Sequence, residues 1–154
     1  MPQMIPPEPK FTVLYVEDEE NDVILLEHAW REASVEHRLE VVRNGKEALN
    51  YFQRHGAVLE GIDVPRCCLV LLDLNLPLLT GFEILSWIRN HDRFKRLPVL
   101  ILTSSNQRHD IQLAYELGAN AFLVKPGSLD ALVKMVQSIK DFWLIENTFA
   151  DAGA

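Results

Sequence analysis

The chain has 154 residues, of which 48% are hydrophobic and 24% are charged, and its formal net charge at pH 7 is −7. These proportions are typical of one globular domain, and the negative charge argues against nucleic acid as the main partner. No segment has the ~20 consecutive apolar residues of a membrane helix and no secretory signal precedes the domain, so we expect a cytoplasmic protein without a membrane partner.

A proline-rich tail precedes the first predicted strand. Residues 1–10 contain four prolines and no periodicity, which predicts a flexible N-terminal tail. Strand one follows at about Thr12 to Val16 and ends at the acidic pair Glu17-Asp18. Helical spacing of apolar residues then predicts helix one from about Asp22 to Ala33, with Asn21 as its N-cap.

The second strand is predicted to lie at an edge of the sheet. It spans about Leu39 to Val42 and ends without a reactive side chain, which suits a strand far from a functional site. Helix two is predicted at about Lys46 to Arg54. A longer loop, from Gly56 to Arg66, separates it from the next strand.

The third strand carries a carboxylate at its end. The unbroken aliphatic run Leu69–Leu72 is typical of a strand buried on both faces. Ionising a carboxylate inside such a strand is costly, so we expect Asp73 to lie where the strand reaches the surface. The adjacent Cys67-Cys68 are expected to be free thiols in a reducing compartment. Helix three follows Gly81.

Two further strands also end in polar residues. Strand four, Val99 to Leu102, precedes Thr103-Ser104, and strand five, Ala121 to Val124, precedes Lys125-Pro126. Each strand is followed by a segment with helical spacing of apolar residues. These helices are predicted at about 108–117 and from about 128 onward.

Strands and helices therefore alternate five times. This pattern predicts an α/β fold with a parallel sheet covered by helices on both faces. Because crossovers are right-handed, we predict a flavodoxin-like (βα)5 doubly wound sheet with strand order 2-1-3-4-5. The polar strand ends would then meet at one edge. We expect one domain over residues 11–147, between tails at 1–10 and 148–154.

The strand-end residues have the chemistry of a phosphoryl-acceptor site. Two carboxylates ~4 Å apart repel each other by about 4 kcal/mol at an effective dielectric constant near 20, so three at one edge favour a cation. Oxygen ligands with water select Mg²⁺ or, as a second candidate, Mn²⁺. A cation, a hydroxyl and a lysine beside a carboxylate can receive a phosphoryl group, for which Asp73 is the predicted nucleophile. Thr103 and Lys125 supply the other two groups, and Ser104 is small enough to leave room beside Thr103.

These motifs resemble the receiver domain of two-component response regulators. The resemblance covers about Phe11 to Ser138 and fills all the signature positions of the family. The residues that carry it are Glu17-Asp18, the DLNLP segment that begins at Asp73, Gly81, Thr103-Ser104 and Lys125-Pro126. It implies that Asp73 accepts phosphate from a histidine kinase.

The resemblance also implies a role for each signature residue. The implied metal ligands are Asp18, Asp73, the backbone carbonyl of Asn75 and, through water, Glu17. The residues implied to bind the phosphoryl group are Thr103, Ser104 and Lys125. The implied switch residues are Thr103 and Phe122, and the structural ones are Gly81 and Pro126, the latter after a cis peptide bond.

Other features indicate which partners to expect. No output domain is evident after helix five, and the ENDVILLEHAW, Gly56–Arg66 and FKRLPVLILTSSN segments resemble the regulators paired with cyanobacterial phytochromes. The resemblance implies a phytochrome-type kinase and an unknown downstream protein. The C-terminal segment is rich in large apolar residues, and together with helix four, strand five and helix five it predicts a homodimer interface. Those residues are Phe142, Trp143, Leu144, Ile145 and Phe149.

Two alternatives are weighed against this hypothesis. A haloacid-dehalogenase-like phosphatase also uses a strand-end aspartate, but its general acid two residues later would fall at Asn75, which cannot take that role. A receiver that is never phosphorylated and acts only as an interaction module is disfavoured by the intact acidic set. We expect no enzymatic activity beyond the chain's own phosphorylation and slow dephosphorylation.

Overall fold

The computed structural model describes residues 11–56 and 66–150. The expected tail at 1–10, the central part of the expected 56–66 loop and residues 151–154 lie outside this range. No helix within the described range is long and apolar enough to span a membrane.

Five parallel strands form one sheet in the order β2-β1-β3-β4-β5. This confirms the predicted flavodoxin-like fold and its strand order, in which the first and third strands are neighbours. The strands are β1 (Phe11–Val16), β2 (Arg38–Val42), β3 (Arg66–Leu72), β4 (Val99–Thr103) and β5 (Ala121–Val124).

Five α-helices connect and cover the strands. They are α1 (Glu20–Glu32), α2 (Gly45–Gly56), α3 (Gly81–Asn90), α4 (Arg108–Glu116) and α5 (Leu129–Ile139), and α5 continues into a C-terminal π-helix (Lys140–Glu146). The first helix begins earlier than predicted, with Glu19 as its N-cap, so the assignment of Asn21 to that position was wrong. Acidic Glu20 and Asp22 in the first turn suit the positive end of the helix dipole.

Alternating side chains of the central strands fill two core clusters, one on each face of the sheet. In β1, Leu14 and Val16 face the cluster under α2, α3 and α4, which we call the α3-side cluster. Val13 and Tyr15 face the opposite cluster under α1 and α5, the α5-side cluster. Burial on both faces explains why β3 is a continuous aliphatic run.

Backbone hydrogen bonds hold the ends of the strands together. The Asp73 amide donates to the Val16 carbonyl at 3.1 Å, and the Lys125 amide donates to the Thr103 carbonyl at 2.8 Å. The Glu17 amide donates to the Val42 carbonyl at 3.0 Å. The residues that follow the strands are thus fixed by the sheet itself and not by flexible loops.

The C-terminal π-helix folds back onto the domain. Trp143, Leu144 and Phe149 pack against the α5-side cluster, so only part of the apolar set predicted for the homodimer interface stays on the surface. Phe142 and Ile145 remain 57% and 60% exposed. The wider π turn, closed by the Asn147 amide on the Phe142 carbonyl at 2.7 Å, separates these two groups of side chains around the axis.

Candidate functional site

Asp73 lies at the carboxyl end of β3 and is only 4% exposed. Its Oδ1 accepts a hydrogen bond from the Asn75 amide at 3.2 Å, which fixes the plane of the carboxylate. Its Oδ2 accepts from Lys125 Nζ at 2.8 Å. The aspartate is therefore held by one neutral and one charged donor at the edge where the strands end.

The Lys125 ammonium group is the centre of the site. It donates to Glu17 Oε1 at 2.7 Å, to Asp73 Oδ2 at 2.8 Å and to Asp22 Oδ2 at 2.9 Å. An ammonium group has three protons, so these contacts use all of its donors. The carboxylates come from the ends of β1 and β3 and from the first turn of α1, and the lysine comes from the end of β5.

Glu17 is the most enclosed of the three acids. It is fully buried, and its Oε2 has no hydrogen-bond partner among the described residues. Burial, together with the nearby Asp73 and Asp22 carboxylates, raises the pKa of Glu17 to about 9, although Lys125 opposes the shift. At neutral pH Glu17 is therefore protonated.

Asp73 and Lys125 are both charged. Burial acts to raise the pKa of Asp73, but contacts with Glu17, Lys125 and Thr103 outweigh it and hold that pKa below the usual value. Burial acts to lower the pKa of Lys125, but its three carboxylate partners raise it on balance. An ionised aspartate thus faces an ammonium group in a nearly water-free site, which is the state a nucleophilic carboxylate requires.

The other predicted site residues lie around this pair. Thr103 is fully buried at the end of β4, and its hydroxyl accepts from the Ser105 amide at 3.4 Å. Ser104 and Asn75 are exposed, and Asp18 is half-buried beside Glu17 but forms no ion pair with Lys125. The structure therefore brings Glu17, Asp73, Thr103 and Lys125 together and leaves Asp18 and Ser104 nearer the solvent.

Sequence analysis missed Asp22. It was placed at the start of helix one without a function, yet it is one of the three partners of Lys125. The available signal was its position: first-turn residues of a helix that follows a strand lie over the carboxyl edge of the sheet. An acidic residue there adds to the charge of the strand-end pair.

Gly81 is required by close backbone contact. A Cβ atom there would overlap the Asp73 carbonyl oxygen and would lie 2.8 Å from the Leu74 Cα atom. The Gly81 amide donates to the Leu74 carbonyl at 3.0 Å and closes the loop after Asp73. Any larger residue would displace the backbone that carries the aspartate.

The peptide bond before Pro126 lacks the cis geometry that the resemblance implies, whereas Phe122 lies within the predicted fifth strand. All peptide bonds of the described residues are trans, so the implied cis bond between Lys125 and Pro126 is not found; the trans form of such a bond is favoured by about 0.5–1 kcal/mol. Phe122 lies in β5 opposite Ile101 and is half-buried against the α3-side cluster. It therefore has packing on one side and solvent on the other.

The carboxylates converge on an ammonium group and do not form a ready metal centre. Among residues 11–56 and 66–150, no three His, Cys, Asp or Glu side chains are placed to hold a metal ion together. The implied ligands are nevertheless all oxygen donors, and the buried Glu17 Oε2 is unused within that range. This donor set fits a hard divalent cation once Glu17 loses its proton and one or more hydrogen bonds from the Lys125 ammonium are broken.

Comparisons with known proteins identify the family that this chain resembles. The family model described as "Response regulator receiver domain" matches residues 13–137. Response regulator Rcp1 of Synechocystis sp. is 39% identical over 136 residues, which cover 88% of this chain and 90% of that protein.

Solved structures give the same result. The Mn(2+)-bound form of Rcp1 has a TM-score of 0.78 at 37% identity and covers 91% of this chain and 99% of that one. The phosphorylated cyanobacterial phytochrome response regulator RcpA has a TM-score of 0.79 at 33% identity, with 92% and 99% covered. RPA3017, a response regulator in red light signaling of R. palustris, has a TM-score of 0.82 at 31% identity, with 91% and 98% covered.

Proposed function

The chain belongs to the response regulator receiver domain family, and we propose that Asp73 is the residue on which it accepts a phosphoryl group from a histidine kinase. The observation that carries this proposal is the environment of Asp73. The carboxylate is buried, is kept ionised, and lies 2.8 Å from Lys125 Nζ. The buried Thr103 hydroxyl lies on the adjacent strand.

The proposed reaction is a single phosphoryl transfer. An Asp73 oxygen forms a bond to phosphorus while the phosphorus–nitrogen bond of the phosphohistidine breaks, and the released imidazole nitrogen takes up a proton from water. Thr103, Ser104 and Lys125 then bind the phosphoryl oxygens by hydrogen bonds and charge. Water later hydrolyses the aspartyl phosphate slowly, so the chain acts on no substrate other than itself.

A divalent cation, Mg²⁺ or alternatively Mn²⁺, is part of this proposal. Its ligands would be Asp18, Asp73 and the Asn75 carbonyl, with Glu17 acting through water. Support comes from the unused Glu17 Oε2 and from the Mn²⁺ in the Rcp1 structure. Such an ion supplies positive charge that offsets the charge of the phosphoryl oxygens.

Phosphorylation is proposed to act through Thr103 and Phe122. A phosphoryl group adds a charge of about −1.5 to −2 at pH 7 and attracts the Thr103 hydroxyl. Movement of Thr103 breaks its contact with the Ser105 amide and opens space toward which the half-buried Phe122 can rotate. The surface formed by α4, β5 and α5 would change accordingly.

The proposed kinase is a phytochrome-type light sensor. RcpA is named as a cyanobacterial phytochrome response regulator, and another similar structure is named as a bacteriophytochrome response regulator. A downstream protein would then read the phosphorylated state. We also propose a cytoplasmic location, with which the free thiols of Cys67 and Cys68 are compatible.

The chain is further proposed to form a homodimer through α4, β5, α5 and the C-terminal π-helix. Large apolar side chains remain exposed on α4, on β5 and on the C-terminal π-helix. They are Tyr115 at 50%, Val124 at 40%, Phe142 at 57% and Ile145 at 60%. An exposed apolar surface of this kind favours association through a two-fold axis.

The test of the acceptor site is substitution of Asp73. Asp73→Asn keeps the shape of the side chain but cannot form an acyl phosphate, so we expect no stable phosphorylation by acetyl phosphate and Mg²⁺. Asp92→Asn is a matched control, because Asp92 is fully exposed and its one ion pair within the described part of the chain is with Lys95 at 3.7 Å. The measurement is the mass of the intact protein. Phosphorylation of the Asp73 variant at the wild-type level would refute the assignment.

A further inference from the structure

Asp22 differs from the other two partners of Lys125. Glu17 and Asp73 follow strands of the sheet, whereas Asp22 lies in the first turn of α1 and is one-third exposed at its side chain. Its Oδ2 is 2.9 Å from Lys125 Nζ. It takes no part in the acceptor chemistry proposed above, so its contact with the lysine needs a separate explanation.

The three acidic side chains leave the ammonium group no spare proton. For Lys125 to donate to a phosphoryl oxygen, one of its present hydrogen bonds must be broken. The bond to Asp73 changes in any case, because that oxygen is at the reacting carboxylate. The new phosphoryl oxygen then competes with Glu17 and Asp22 for the protons of the ammonium group. Of these two acids, Asp22 is the one that holds the ammonium group toward α1.

Packing does not fix the ammonium group in its present position. Lys125 and Asp22 line a cavity of about 30 Å³ together with Tyr15, Leu26 and Pro126, which is large enough to hold water. The lysine therefore has free space on the α1 side. Its position is set by its ion pairs, and loss of one of them would let it move.

We propose that Asp22 is a positioning residue, which draws the Lys125 ammonium toward α1 and competes with the phosphoryl group for it. This inference rests on the proposed function, since it presumes that Lys125 binds the phosphoryl group. The competition weakens the phosphorylated state relative to the unphosphorylated one. The charge of Asp22 thereby sets how stable the phosphorylated conformation is.

The first test uses beryllofluoride, a mimic of the phosphoryl group, with Mg²⁺ present. Asp22→Asn keeps the size of the side chain and a hydrogen-bond acceptor but removes the charge, so we expect beryllofluoride to bind on the order of fivefold more tightly. Asp22→Glu retains a carboxylate and should stay close to wild type. Glu19→Gln removes a charge at the same helix end from an exposed residue and controls for general electrostatics.

A double-mutant cycle separates the lysine from the general charge of the site. In a Lys125→Ala background, Asp22→Asn should have no further effect on beryllofluoride affinity, because the group over which the two anions compete is gone. If the charge of Asp22 acts directly on the bound anion, the increase would persist in that background. That result would overturn the proposal.

A second readout needs neither metal nor phosphoryl mimic. Hydrogen exchange of the Lys125 ammonium protons, followed by ¹⁵N NMR in the metal-free protein, should be faster in Asp22→Asn than in wild type and Glu19→Gln. Unchanged exchange and unchanged beryllofluoride affinity in Asp22→Asn would refute the positioning role. Failure of the wild type itself to bind beryllofluoride, or equal binding by Asp73→Asn, would instead refute the proposed function.

Discussion

Glu17 and Asp73 contact the same ammonium group, yet their pKa values shift in opposite directions. Burial dominates at Glu17, which lies deepest and keeps its proton. At Asp73 the donors around the carboxylate outweigh burial. Of the two acids beside the lysine, the ionised one is therefore Asp73, whose carboxylate is proposed to react. Neighbouring acids commonly take different roles because their environments shift their pKa values apart.

This division predicts a pH dependence of stability. The pKa of Glu17 is about 9 in the folded state against a usual value of 4.5. At pH values between these two, the folded state keeps a proton on Glu17 that the unfolded state has released. Its free energy of unfolding must then fall as the pH rises through that window, by up to about 1.4 kcal/mol per pH unit. Asp73 has a lowered pKa and contributes in the opposite sense: it stabilises above its unfolded pKa, and that stability is lost as the pH falls.

Glu17→Gln tests this pH dependence, because an amide cannot titrate. Urea denaturation of the metal-free protein between pH 6 and pH 8 should show a flatter decline of unfolding free energy in this variant than in wild type. Glu116→Gln, which changes an exposed acid at the end of α4, should follow the wild type. Parallel curves for wild type and Glu17→Gln would contradict the protonated state of Glu17.

The strand-end residues were predictable because the signal for each is local. Asp73 follows an aliphatic run that can only be a buried strand, and Lys125 follows another. The contact between Asp22 and Lys125 joins residues 103 positions apart, and no spacing in the sequence indicates it. The same holds for the burial of Glu17, which depends on how the neighbouring elements pack around it.

At the scale of elements, Arg89 connects α3 to the starts of β4 and β5. Its guanidinium group donates to the Gly118 carbonyl at 2.9 Å, to the Leu97 carbonyl at 2.7 Å and to Asn120 Oδ1 at 2.8 Å. Asn120 Oδ1 also accepts from the Val99 amide at 2.8 Å. One planar fork thus ties α3 to the segments that lead into β4 and β5.

Arg89→Lys should therefore destabilise the domain although it keeps the charge. An ammonium group cannot reproduce the planar fork, and part-buried carbonyls would lose their donors, so we expect a loss of about 2–3 kcal/mol in unfolding free energy. The measurement is urea denaturation. Arg93→Lys, at an exposed position four residues later, serves as the control, and an equally small loss in both variants would show that the fork contributes little.

Some element boundaries follow from the sequence and others do not. Thr80 and Glu83 form a capping box at the start of α3, and the T-x-x-E pattern is visible in the sequence. The first helix lacks a side-chain cap at Glu19, whereas Asn21 is of a residue type that is common at N-caps. Residue type therefore indicates the wrong position. The change from α to π geometry after Ile139 leaves no mark in the apolar spacing.

At the scale of the whole molecule, fold-back of the C-terminal π-helix narrows the predicted interface. Trp143, Leu144 and Phe149 are half-buried against the core of their own domain. Of the apolar residues in this segment, Phe142 and Ile145 remain exposed for contact with a second copy. Removing the whole segment would expose the α5-side cluster, so loss of the dimer could not be distinguished from partial unfolding. Surface substitutions are the cleaner way to test association.

The double variant Phe142→Glu, Ile145→Glu should be monomeric at micromolar concentration, where we expect the wild type to be a dimer. Charges placed on both sides of a two-fold interface repel each other and stay unpaired when buried. Sedimentation velocity with and without beryllofluoride measures the outcome. Ile24→Glu, on the exposed face of α1 and 53% exposed, is the control, and a monomeric wild type in both conditions would exclude the dimer.

The contact between Phe11 and Phe149, whose ring centroids are 6.5 Å apart, brings both ends of the folded domain to one place. That place is the beginning of β1, and Asp73 lies at the opposite edge, beyond a strand of six residues, or about 20 Å at ~3.3 Å per residue. A label placed at Phe11 or Phe149 would therefore lie behind the sheet, away from the proposed acceptor. It would sense the phosphate only through the body of the domain.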